Sequence, residues 1–160
     1  MIFVCIGSRE YQFNRLLRAL DELVEQGVVE DQIIAQIGQS DYEPKNYEWY
    51  RFLDRDVFKS YQEQAELIIS HAGTGALIGA LKCEKQVISV PRLAKYGEHI
   101  DDHQTQVSSA LAQEGFLREV LNMENLGEII RLCKKEPIMK KYDKPSRVVE
   151  IIEDFLEKSL

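Results

Sequence analysis

Apolar and polar residues alternate in blocks along this chain, and the blocks have two different periods. The run "IFVCIG" is apolar without a break and ends in Gly7, which predicts a short strand buried on both faces. Behind it, Phe13, Leu16, Leu17, Leu20, Leu23 and Val24 recur at helical spacing, and Gly27 supplies a stop. "QIIAQIG" predicts a second strand, again closed by a glycine. The segment from Gln39 to Asp54 is rich in Tyr, Asp and Asn and contains Pro44, so it reads as a long loop carrying a short aromatic strand, "YEWYRFL".

From there the alternation is regular. "RDVFKSYQEQA" suits a helix, "ELIIS" a strand, "GALIGALKCE" a helix, and "QVISVP" a strand closed by Pro91. "RLAKYGEHI" has no period and reads as a loop, followed by a helix in "DDHQTQVSSALAQEG" and a short strand in "FLREVL". A helix follows in "NMENLGEIIRLCKK", with Asn122 as its cap. Beyond Pro137, Val148, Val149, Ile151, Ile152, Phe155 and Leu156 form an apolar stripe, which predicts a C-terminal amphipathic helix over 145–158. That helix either packs back on its own domain or docks a partner.

Strands alternating with helices predict an α/β fold, a Rossmann-like parallel sheet with helices on both faces. The whole chain, 1–160, reads as a single domain, with 1–135 forming its core. In open sheets of this kind ligands collect beyond the carboxyl ends of the strands. Here those ends are marked by Gly7-Ser8, Gly38-Gln39, His71 to Gly75, and Pro91-Arg92.

Composition narrows the function classes. The 160 residues are 44% apolar and 29% charged, the balance of an ordinary globular protein. A net charge of −7 argues against nucleic-acid binding, since phosphate backbones call for a basic surface, but leaves room for a small anion in a local pocket. Cys5, Cys83 and Cys133 are odd in number and far apart, the pattern of buried free thiols in a reducing compartment. With no basic leader and no apolar run near the ~20 residues of a membrane span, a cytoplasmic location is expected.

Two stretches carry candidate chemistry. "SHAGTG" joins a buried strand to a helix. The first amides of that helix lack partners at the positive end of its dipole, the glycines permit close approach, and Thr74 adds a hydroxyl. An anion site and a merely tight turn are both compatible with it. No P-loop is present, and Gly73, Gly75 and Gly79 give GxGxxxG, one residue longer than the dinucleotide fingerprint. An NAD(P)-dependent oxidoreductase therefore stays open as an alternative.

The second stretch is "YGEHIDDHQ". His99 and His103 stand four apart, a metal-ligand spacing on a helix, but Gly97 and the acidic pair put the helix start near Asp101 and leave His99 in the loop. Asp101 and Gln104 also have the spacing of a capping box, so Gln104 has two candidate tasks, helix capping and ligand recognition.

Together, "ELIISHAGTGALIGALKCEKQVISVPR" and "YGEHIDDHQ" resemble the glycosyltransferase family 28 C-terminal domain, the donor-binding half of GT-B enzymes. "IFVCIGSREYQFNRLLRAL" and "AQIGQSDY" extend the likeness over residues 1 to 135. The chain is most similar to stand-alone versions of this half, of the bacterial exopolysaccharide and capsule type. The resemblance implies a UDP-sugar donor, with Gly7 and Ser8 lining the cleft and His71, Gly73, Thr74 and Gly75 holding the diphosphate. It places Glu98, His99, Asp102, His103 and Gln104 around the sugar and nucleotide, and Arg92 is a further candidate phosphate partner.

It further implies no metal or other cofactor and a reaction on the inner face of the membrane, reached through a membrane-associated acceptor-binding subunit that carries a lipid-linked saccharide. No general base is assigned, since that group should face the acceptor. In larger relatives an acidic residue holds the ribose, and Gly79 stands in its place here. A non-catalytic nucleotide-sugar-binding module of a polysaccharide assembly complex is the remaining alternative.

Overall fold

Strands form where the apolar runs lie: β1 at Ile2–Cys5, β2 at Ile33–Gln36, β3 at Glu48–Tyr50, β4 at Leu67–His71, β5 at Gln86–Val90 and β6 at Arg118–Glu119. The computed structural model describes residues 1–7 and 10–142, with His103 described by its backbone alone. The expected helix over 145–158 therefore lies outside the described residues. Between the strands run α1 (Asn14–Glu25), α2 (Arg55–Gln64), α3 (Thr74–Lys82), α4 (His103–Gln113) and α5 (Leu126–Lys135). Asn122 does act as a cap: its side chain accepts from the Glu124 amide at 3.0 Å and opens a short 3-10 turn that leads into α5.

All pairings in the sheet are parallel, and the strand order is β3-β2-β1-β4-β5-β6. A parallel sheet must be covered on both faces, which is why β1 is buried at every position. Ile2, Val4, Ile33, Ala35, Leu67 and Ile69 pack with Leu16, Leu17 and Leu20 of α1 and Ile130 of α5. Phe3, Cys5, Ile34 and Ile68 pack on the opposite side with Leu77 of α3 and Val107 and Leu111 of α4. Burial raises the Cys5 thiol to about 11 despite its contact with Ser70, so it stays protonated and inert at neutral pH. Cys133 is buried as well, whereas Cys83 at the end of α3 is half-buried.

The order reverses direction between β1 and β4. The chain builds outward to β2 and β3 on one side, then returns to build β4, β5 and β6 on the other. The loops leaving β1 and β4 therefore diverge and open a crevice at that switch point.

The long loop before β3 is held to α1 by one buried carboxylate. Asp21 is 3% exposed and accepts from the Tyr42 hydroxyl at 2.6 Å and from the Lys45 and Asn46 amides at 2.9 and 2.8 Å. Burial alone would raise its pKa, but these hydrogen bonds outweigh burial and hold it below the ordinary carboxylate value. A depressed pKa contributes stability that is present above the unfolded value and is lost as pH falls through the folded one. Asp21→Asn is expected to cost about 2 kcal/mol at neutral pH, where a charged acceptor is lost from buried donors. It should also flatten the acid limb of a urea-midpoint series, and a limb as steep as wild type would refute the assignment.

Candidate functional site

The crevice at the switch point is framed by β1 ending in Gly7 and β4 ending in His71. Gly7 has φ +81°, a conformation that L side chains rarely adopt, so this turn calls for glycine. Gly73, the N-cap of α3, has ordinary extended angles, and its small size serves a different end. A Cβ on Gly73 would lie 2.5 Å from His71 Nε2, and one on Gly7 would lie 2.9 Å from the same atom. The imidazole therefore holds Nε2 close to two glycines 66 residues apart, in space that a Cβ on either would crowd. Its Nδ1 lies 3.4 Å from the Cys5 carbonyl.

Gly75 is unlike either. A Cβ there would meet nothing within 4 Å, so no contact within the chain requires a glycine. The N-cap of α3, Gly73, has no side chain to cap the helix, and the first amides of α3, at Thr74 and Gly75, follow closely on the end of β4. Helix-start amides, a helix dipole and an imidazole in one place have the chemistry to attract an anion. Gly79 is directed elsewhere: a side chain at that position would meet Gln62 of α2 at 3.9 Å.

The loop between β5 and α4 carries the second motif, with Glu98 buried and Asp102 exposed. Three successive loop amides are each satisfied by one of its side chains. Arg92 N donates to Gln104 Oε1 at 3.1 Å, Leu93 N to Glu98 Oε1 at 3.0 Å, and Ala94 N to Asp102 Oδ1 at 2.8 Å. The capping box does not form, because Gln104 serves the loop and the N-cap of α4 is Asp102, one residue beyond the expected start. His99 stays in the loop as expected, 3.2 Å from Asp101 Oδ1 and packed against the Tyr11 ring at 5.2 Å.

Two of the expected ligand residues are buried and engaged within the chain. Glu98 is 1% exposed and chelated by Arg15, whose Nε and Nη2 reach its two oxygens at 3.1 Å each. Arg92 is also 1% exposed; it donates to the carbonyls of Ile6 and, at 3.3 Å, Tyr11, and lies over the Phe13 ring at 5.5 Å. Glu98 thus satisfies a side chain and a loop amide, and Arg92 satisfies carbonyls of the segment after β1, as buried polar groups must. Ser8 lies outside the described residues. Among the described residues no cluster of three or more His, Cys, Asp or Glu is placed to hold a metal ion.

Sequence reasoning missed Arg15 and Tyr11. One signal pointed to Arg15: it is a cation in the first turn of α1, where the helix dipole disfavours positive charge, so it calls for an outside partner. On the far side of the loop from the glycine turn, Arg15, Leu93, Tyr96, Asp102, Leu121 and Met123 help line a groove of about 780 Å³.

No curated protein sequence matches the chain. Among solved structures it is similar to the solution structure of ALG13, at 17% identity and a TM-score of 0.59, covering 90% of this chain and 89% of that one. It is similar to MurG of Acinetobacter baumannii at 20% identity and a TM-score of 0.57, covering 94% of this chain but 49% of MurG. It also overlies the glycotransferase of kitacinnamycin at 15% identity and a TM-score of 0.64, over its full length and 43% of that enzyme. These likenesses establish the fold, that of one half of a GT-B enzyme. The sequence itself matches the glycosyltransferase family 28 C-terminal domain over residues 1–157, and the chain belongs to that family of nucleotide-sugar glycosyltransferases.

Proposed function

We propose that this chain is the UDP-sugar-binding subunit of a two-protein glycosyltransferase. Its partner, a membrane-associated subunit, would present a lipid-linked saccharide acceptor in polysaccharide biosynthesis. The observation that carries this reading is the seat at the switch point, where the His71 imidazole lies between Gly7 and Gly73 beside the uncapped start of α3. A diphosphate fits such a seat: the amides and the dipole favour negative charge, and Gly75 leaves the approach open. The two-protein arrangement is supported by the likeness to ALG13, 89% of whose length the chain covers.

In this reading the bond between the anomeric carbon and the β-phosphate oxygen breaks as the acceptor hydroxyl attacks, and negative charge grows on the departing UDP. The Thr74 and Gly75 amides, in place of a metal ion, take up that charge as fixed dipoles. The proton of the acceptor hydroxyl goes to a base facing the acceptor, a place that belongs to the partner. His99 and the remaining donors of Gln104 border the sugar from the loop, while the acids shape that loop.

A melting series with UDP, UDP-glucose, UDP-galactose, UDP-glucuronic acid, UDP-GlcNAc, NAD and NADP tests the donor class. At 100 times its dissociation constant a ligand adds about 2.7 kcal/mol, a rise of several degrees for a chain of this size. UDP and at least one UDP-sugar are expected to give it. Preferential stabilisation by NAD or NADP would overturn the reading in favour of an oxidoreductase. Sugar transfer to a lipid-linked acceptor once the partner is added separates an enzyme subunit from a module that only binds.

A further inference from the structure

Arg15 makes an unusual set of contacts for a helix-surface residue. Besides chelating Glu98, it donates from Nη1 to the Leu121 carbonyl at 3.1 Å and from Nη2 to the Pro91 carbonyl at 3.3 Å. Its guanidinium lies 4.7 Å from the centre of the Tyr96 ring. One side chain on α1 thus grips the segment just past β5, the middle of the loop, and the segment just past β6. The grip continues inward, because the Glu98 oxygen held by Arg15 Nη2 also accepts the Leu93 amide.

We propose that Arg15 is a positioning residue for the sugar end of the donor site, acting through Glu98 and the 91–104 loop without touching the ligand; this rests on the UDP-sugar reading above. Within the loop, backbone bonds tie Tyr96 and Glu98 to Leu93, and Gln12 Nε2 holds the Tyr96 and Gly97 carbonyls at 3.0 and 3.4 Å, so Arg15 shares the shaping of the loop with few other groups. Apart from a 3-10 turn at Ala94–Tyr96 it has no regular structure, and its first three amides depend on side chains. The diphosphate seat is built from Gly7, His71 and the start of α3, and the loop reaches it through Arg92, whose bonds to the Ile6 and Tyr11 carbonyls do not involve Arg15. Loosening Arg15 therefore displaces the groups that meet the sugar and leaves the seat in place. An arginine suits the position because its planar fork reaches a carboxylate and two carbonyls at once, whereas the single ammonium of a lysine cannot span all three.

The test compares two affinities in the same variant. By calorimetry, wild type is expected to bind the best UDP-sugar of the panel more tightly than UDP alone. Arg15→Lys should weaken UDP-sugar binding on the order of tenfold while UDP stays within about twofold, the kind of loss that a small misplacement produces. General destabilisation lowers the competent fraction for both ligands equally and leaves their ratio unchanged, so the ratio separates positioning from folding. Glu98→Gln, which keeps the shape but weakens the chelate, should move the ratio the same way and serves if Arg15→Lys folds poorly. A ratio unmoved in both variants overturns the proposal, as does a wild type whose affinity gains nothing from the sugar. A wild type that binds no UDP at all removes the proposed function itself.

Discussion

Gly73→Ala is expected to fold and to lose UDP binding by on the order of a hundredfold, the scale set by misplacing a group at a binding centre. The reason lies in the slot around His71. A Cβ at position 73 would stand 2.5 Å from Nε2 and 3.1 Å from Cδ2 of the ring. Room on the Gly7 side is limited as well, since even a Cβ there would stand 2.9 Å from the same nitrogen. It must swing out into the crevice or push the start of α3 away, and either move spoils the anion seat. The backbone itself tolerates alanine, with φ −73° and ψ 131° at position 73, so stability should fall only by about 1 kcal/mol, the cost of one displaced rotamer.

Gly75→Ala provides the contrast. Its Cβ meets nothing in the chain, so any loss of affinity there reports the ligand's own approach. Calorimetric titration with UDP, beside a thermal melt of each variant, reads both effects. Gly73→Ala binding UDP as wild type does would show that the slot has no part in the site.

Much of the fold was legible because the signals for it are local. The mostly apolar runs at Ile2–Cys5, Leu67–His71 and Gln86–Val90 mark strands covered on both faces, and each is a strand in the structure. The edges were less legible. "FLREVL" contributes only Arg118 and Glu119 to the sheet, and "YEWYRFL" only Glu48–Tyr50, because an edge strand pairs on one side and the chain turns away early. "SHAGTG" left an anion site and a merely tight turn both open, and gave no sign that its first glycine also makes room for a histidine ring.

Partnerships across long separations left no trace in local pattern. Arg15 and Glu98 lie 83 residues apart, and the Arg92 side chain reaches Ile6 across 86. Reading "DDHQ" locally gave a capping box, since helix starts satisfy their own amides when nothing else competes. Here the loop amides at Arg92, Leu93 and Ala94 did compete, and the motif's acids and amide turned to them.

Arg92→Ala is the substitution expected to damage the fold most, by about 3–5 kcal/mol in a urea titration, the range for removing one member of a buried polar contact and emptying its volume. Arg92 is among the largest fully buried side chains of the chain, and its guanidinium lies against Phe13. Its described partners, the carbonyls of Ile6 and Tyr11, flank the connection from β1 to α1, the segment that contains Gly7. Arg92→Lys keeps a cation and one hydrogen bond but loses the fork and the flat packing, so it should cost about 1–2 kcal/mol. Arginine at this position would ordinarily be assigned to the phosphate, and the two assignments separate cleanly in the lysine variant. A structural post predicts lower stability with UDP affinity within a few-fold of wild type at a temperature where the variant is folded. A phosphate ligand predicts the reverse, and wild-type stability with a hundredfold weaker UDP binding would return Arg92 to the site.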